Sequence, residues 1–134
     1  MSLTTGGCLC RAIEFVAAQT PRAVHYCHCS MCRRATGGPV AVIAWFPEAS
    51  VQWKTTAPAR YASSGIAHRS FCPHCGTPIC LQYNDSAEIG FMVGCLDDPD
   101  RFEPTYHYGI EGRLGWCDAG SSLSQRRVTQ EVLE

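Results

Sequence analysis

The chain has 134 residues, of which 46% are apolar and 17% charged. That is enough for one domain with a real core, and too apolar for a disordered tail. Eleven basic against twelve acidic residues leave a net charge of −1, so no basic excess points to a nucleic-acid backbone or an anionic membrane.

In chain order, Met1 to Gly7 has no cationic start and no apolar stretch, so no secretory signal is expected and the implied compartment is a reducing cytoplasm. Nothing further along approaches the roughly 18 apolar residues of a membrane span. Ile13 and Phe15 alternate with polar neighbours across Cys10–Val16, the pattern of a strand. Ser30–Ala35 reads as a turn or two of helix, with Ser30 as N-cap and Gly37 as stop. Val40–Phe46 is a continuous apolar run closed by Pro47, which predicts a buried strand. Ala59–Ser63, His68–Cys72, Ile79–Tyr83, Glu88–Cys95 and Thr105–Ile110 are further strand candidates, and Asp97–Phe102 reads as a helical turn. Ser124–Glu134 carries one weak apolar stripe (Val128, Val132, Leu133) and is expected as a short helix or a frayed end. The expected class is mainly β in small sheets. One zinc-binding domain would span residues 1–134, with its core at about 6–117 and a tail at 118–134.

The ten cysteines are the anomaly. In a reducing compartment, clustered cysteines point to metal or redox chemistry before structural bridges. Seven fall into three groups: Cys8-Leu9-Cys10, Cys27-His28-Cys29-Ser30-Met31-Cys32 and Cys72-Pro73-His74-Cys75-Gly76. In the last group Pro73 pre-sets a tight turn and Gly76 permits positive φ, so two sulfurs converge on one metal with backbone amides aimed at them. In an extended chain Cys8 and Cys10 share a face. The two pairs together make the closed tetrahedral set of a structural zinc. By the same alternation Cys27 and Cys29 share a face, His28 lies opposite, and the turn to Cys32 adds a third sulfur. Three ligands and an open fourth position make the pattern of a catalytic zinc, to which an incoming thiol can bind and lose its proton. Two alternatives stay open: the triplet pairs with Cys72 and Cys75, or it recruits Cys80, Cys95, Cys117 or a histidine and closes. Those three cysteines also read as small buried hydrophobes, and His74 as filler within its turn.

These motifs, with Gly6-Gly7 before Cys8, Arg33-Arg34 after Cys32, Gly94-Cys95-Leu96-Asp97-Asp98-Pro99 and Pro104-Thr105-Tyr106-His107, resemble the glutathione-dependent formaldehyde-activating enzyme family, which includes centromere protein V-like proteins. The resemblance implies a β-tent of several small coiled antiparallel sheets stapled by zinc. It implies a structural zinc on Cys8, Cys10, Cys72 and Cys75, and a second, more labile zinc on Cys27, Cys29 and Cys32. The implied activity is that of a carbon–sulfur lyase or thiol-adduct synthase, condensing a small thiol such as glutathione with a small aldehyde such as formaldehyde. His107, at a family position, would act as a general base or weak fourth ligand, or else as a satisfied strand histidine. All basic residues but Lys54 are arginine. Arg33 and Arg34 follow the third ligand directly, so one of them can reach a thiol's carboxylate, unless they form a solvated surface pair. The competing function is a non-catalytic, zinc-stabilised protein-binding module. Neither nucleic acid nor membrane is an expected partner, and nothing sets an oligomeric state.

Overall fold

The computed structural model describes residues 3–129. Its strands are β1 (Thr4–Gly7), β2 (Glu14–Ala17), β3 (Ala23–Cys27), β4 (Ala41–Pro47), β5 (Val51–Trp53), β6 (Ala59–Ala62), β7 (Ala67–Phe71), β8 (Pro78–Tyr83), β9 (Glu88–Met92), β10 (Tyr106–Tyr108) and β11 (Ser124–Arg126), with one helix, α1 (Ser30–Thr36). The mainly β class holds. β1, β2 and β5 make a three-stranded sheet, and the others an eight-stranded sheet in the order β11-β10-β3-β4-β9-β8-β7-β6. Most pairings are antiparallel, but β10 runs parallel to both β3 and β11.

Alternation of side chains explains how the large sheet serves both core and site. On one face, Phe46 and Phe91 turn toward the small sheet. Phe91 stacks on Phe15 at 3.9 Å between ring centroids, and Trp53 and Phe46 meet it edge-on at 5.9 Å each. On the other face the register sets side by side Cys27 and His25 of β3, Ile43 and Trp45 of β4, Leu81 and Tyr83 of β8, and Ala67 and Arg69 of β7. Gly90 sits between Trp45 and Leu81 in that row. A Cβ there would come within 2.8 Å of Ile43 Cγ2 and 3.0 Å of the Trp45 ring. Its missing side chain is what lets Trp45 lie flat across the sheet.

Several sequence expectations change in the structure. β1, β3, β5 and β11 were not anticipated, being too short or too polar to show a period. The strand expected over Glu88–Cys95 stops at Met92, and Val93–Cys95 forms a 3₁₀ turn. The turn expected at Asp97–Phe102 is a 3₁₀ turn over Pro99–Arg101. Gly37 ends α1 in the left-handed region at φ 79°, as its position suggested, but the N-cap is Cys29 rather than Ser30. The tail begins as a parallel edge strand rather than a helix; residues 130–134, with Val132 and Leu133, lie outside the described residues. Among the described residues no helix is long and apolar enough to cross a membrane.

Replacing Gly90 with Ala forces Ile43 and Trp45 apart and is expected to cost about 1–3 kcal/mol. Gly94→Ala, where a Cβ meets nothing within 4 Å, is expected to change stability by less than about 1 kcal/mol. Urea denaturation of the two variants checks the contrast.

Candidate metal centre

Two hairpin loops build the four-sulfur cluster. The first joins β1 to β2 and carries Cys8 and Cys10; the second joins β7 to β8 and carries Cys72 and Cys75. The four Sγ atoms lie within 4.8 Å of one another. Cys8 and Cys72 stand 3.7 and 3.8 Å from Cys10. Disulfide sulfurs would be about 2.05 Å apart, whereas ligands about 2.3 Å from a tetrahedral centre stand about 3.8 Å apart. These are therefore free thiols at metal-ligand spacing.

The local geometry supports that use. Gly76 has φ 81°, and the His74 and Cys75 N–H groups point at Cys72 Sγ from 3.4 and 3.5 Å. The Thr77 hydroxyl, 3.1 Å from Cys75 Sγ, and the Thr77 N–H bring the Cys75 thiol down to about 5. Cys8 and Cys10 do converge, but not through the extended alternation expected of them. The chain turns instead, with Arg11 N–H donating to Cys8 O at 3.1 Å and Arg11 itself at φ 65°. Arg11 is held there by Asp97, 2.6 Å away. The Leu9 N–H donates to Thr77 Oγ1 across the two loops, at 3.0 Å.

The three-sulfur cluster forms where β3 runs into α1. Cys27 closes the strand, Cys29 caps the helix and Cys32 lies one turn in; their sulfurs also fall within 4.8 Å. Cys29 Sγ accepts the Cys32 N–H at 3.3 Å and lies 3.6 Å from Cys27 Sγ. The Cys27 and Cys32 thiols hold Cys29 far below the ordinary thiol value, and Cys27 is pushed far up in return. Neighbouring thiolates repel, which opposes charge on all three sulfurs at once. A divalent ion removes that restriction, and a thiolate donor set suits zinc or iron. Among the described residues no fourth Cys, His, Asp or Glu joins the three. Cys80, Cys95 and Cys117 are buried and belong to neither cluster.

The triplet opens onto a cleft of about 430 Å³ on the sheet face described above. Its walls are aromatic: His25, Trp45, Tyr83, Tyr106 and Tyr108. His25 is fixed as a neutral ring, accepting from Trp45 Nε1 at 2.8 Å on Nε2 and donating from Nδ1 to Tyr26 O at 3.0 Å. Burial pushes its pKa down. Arg22 at the rim is paired with Glu88, 2.8 Å from Nη2 to Oε1. Arg69 lines the cleft and donates from Nη2 to Cys32 Sγ at 3.4 Å.

The residues expected beside the metal divide accordingly. All seven cysteines are where the motifs put them. His28 does turn away from the sulfurs; its Nε2 donates to His107 Nδ1 at 2.7 Å in a fully buried pair. His107 is thereby engaged on both sides, since its Nε2 bonds Gly120 O. Tyr26 stacks on it at 4.8 Å, and it does not line the cleft. These contacts are those of a satisfied strand histidine. Arg33 Nε donates to His28 O at 3.4 Å, and neither Arg33 nor Arg34 lines the cleft. Arg69 and His25 also line the cleft, and no motif in the sequence marks them. The one signal for Arg69 is a lone charge inside a strand that leads into Cys72, and it does not say which cluster the side chain reaches.

Residues 3–111 match the glutathione-dependent formaldehyde-activating enzyme family, and the chain belongs to that family. It is 34% identical over 91 residues to a Schizosaccharomyces pombe protein named as an uncharacterized lyase, a match spanning 68% of this chain and 66%, just under two thirds, of that protein. A crystal structure of a Rhodobacter sphaeroides protein superposes with a TM-score of 0.56 over 91% of this chain and 98% of the other, at 20% identity, and so shares the fold.

Closed four-thiolate zinc sites contribute about 10–16 kcal/mol to small domains, as much as the whole net stability of roughly 5–15 kcal/mol. Cys75→Ser is therefore expected to abolish cooperative folding. Cys29→Ser keeps a side-chain oxygen able to cap α1 and is expected to hold the melting temperature within about 5 °C. Circular dichroism melts decide the matter; equal destabilisation by both would make the triplet a second structural staple.

Proposed function

We propose that this member of the glutathione-dependent formaldehyde-activating family is a zinc-dependent carbon–sulfur lyase or thiol-adduct synthase. Its substrates would be a small thiol such as glutathione and a small aldehyde such as formaldehyde. The observation that carries this reading is the contrast between the clusters: four sulfurs close one, whereas three sulfurs face a cleft in the other. We assign zinc to both, structural at Cys8, Cys10, Cys72 and Cys75 and exchangeable at Cys27, Cys29 and Cys32. Zinc at an open position lowers the pKa of a bound thiol toward neutrality.

The chain's own residues do the rest. Cys27, Cys29 and Cys32 fix where the thiol sulfur arrives, at the end of β3. The aromatic side chains and the neutral His25 shape the space beside the sulfurs where the carbonyl would lie. In the forward direction the thiol releases its proton and the sulfur lone pair forms the S–C bond. The carbonyl π pair moves to oxygen, which takes up a proton to give a hemithioacetal. The reverse breaks the same bond, and nothing is oxidised or reduced.

Formaldehyde adds to thiols unaided, so only acceleration over buffer counts. NMR exchange between glutathione and its formaldehyde adduct is expected to speed up with the zinc-loaded protein, and Cys29→Ser to lose that gain. Graded chelation followed by metal analysis is expected to empty the triplet before the four-sulfur site. Release of all metal in one step together with the fold, with no acceleration beforehand, would favour a binding module instead.

A further inference from the structure

We propose that Arg69 anchors a carboxylate of the thiol that enters the cleft. The inference rests on the function proposed above and names the group that recognises the substrate. Arg69 stands in the middle of β7, opposite Leu81 of β8, and lines the cleft together with all three sulfurs. Its Nη2 is within hydrogen-bond reach of Cys32 Sγ, so the guanidinium lies one contact from the cluster. Its other two nitrogens, Nε and Nη1, are buried and have no hydrogen-bond partner. Buried guanidinium donors are seldom left unpaired, and where they are, a ligand is the physical reason to look for.

The rest of the cleft leaves that role to Arg69. Arg22, the other cation in the lining, is neutralised by Glu88 through both its Nε and Nη2. Arg33 and Arg34 are outside the lining. Asp85 and Glu88, the acidic residues of the lining, are not in ion-pair contact with Arg69. Arg69 keeps the regular alternation of β7, paired with Leu81 and on the same face as Ala67, which also lines the cleft. A planar guanidinium that is always charged matches a carboxylate better than a lysine ammonium would. The geometry thus favours a thiol with an acid group within reach of its sulfur over a neutral thiol of the same size.

The test uses a matched pair of probes, N-acetylcysteine and its amide, on the full chain loaded with cobalt. Thiolate-to-cobalt absorption reports sulfur arriving at the triplet. Wild type is expected to bind the acid about tenfold or more tightly than the amide, the worth of a charge-assisted hydrogen bond. In Arg69→Met that preference is expected to shrink to about twofold or less, with the amide's own affinity little changed. Arg69→Lys keeps the charge without the fork and is expected to fall between; it carries the test if the Met variant does not fold. Equal binding of acid and amide by wild type, or an undiminished preference in both variants, overturns the assignment of Arg69 while the thiol reading stands. If neither probe perturbs the cobalt spectrum, the thiol reading itself falls, and the assignment with it.

Discussion

Thiolates brought close together repel one another, and this chain gathers two groups of cysteine sulfurs, each within 4.8 Å. The four-sulfur group decides the architecture. Its sulfurs come from one loop of the small sheet and one of the large sheet, 62 residues apart between Cys10 and Cys72. A cation held there would tie the β1–β2 loop to the β7–β8 loop and set how the two sheets meet. The Phe15–Phe91 stack and the Arg11–Asp97 pair lie along the same seam. Hydrophobic contact is non-directional and tolerates sliding; a tetrahedral sulfur site does not.

That fixed seam leaves the opposite face of the large sheet free for another task. Period-two alternation sends Phe46 and Phe91 into the core and Ile43 and Trp45 into the cleft from adjacent positions. Gly90 keeps the floor of the cleft low enough for the Trp45 ring. The triplet stands at one end of this face because β3 ends there, and its middle cysteine, Cys29, is also the N-cap of the next helix. A metal held by the triplet would therefore share the Cys29 sulfur with the cap of α1.

The buried His28–His107 pair shows how a motif position can mislead. His28 lies between two ligands in sequence, and His107 lies in a familiar context. Both face away from the sulfurs, because the residue between two same-face neighbours must point the other way. Burial and the neighbouring His107 ring bring His28 down to about 4. The pair joins β10 to the end of β3 and so helps place the tyrosines of the cleft wall.

The sequence by itself determined the mainly β class, the buried strand at β4, the turn at Cys72–Gly76 and the seven cysteines that gather in two clusters. Each of these is a local matter: a period of two, a proline and a glycine at set offsets, sulfurs two or three residues apart. It could not show β1, β3, β5 and β11, which carry no marked apolar alternation of their own and exist through their partners. Nor could it show that Cys8 and Cys10 meet by a turn, since that turn is held by Asp97 from a distant segment. Only the tertiary structure brought Arg69 to Cys32 and withdrew Arg33, Arg34 and His107 from the cleft. Sequence neighbours of a ligand need not face it, because successive side chains diverge along both strand and helix. A residue on another strand can face it when the strand register sets it on the same face. Which cation stands beside the open sulfurs is therefore decided by strand pairing and not by proximity in the chain.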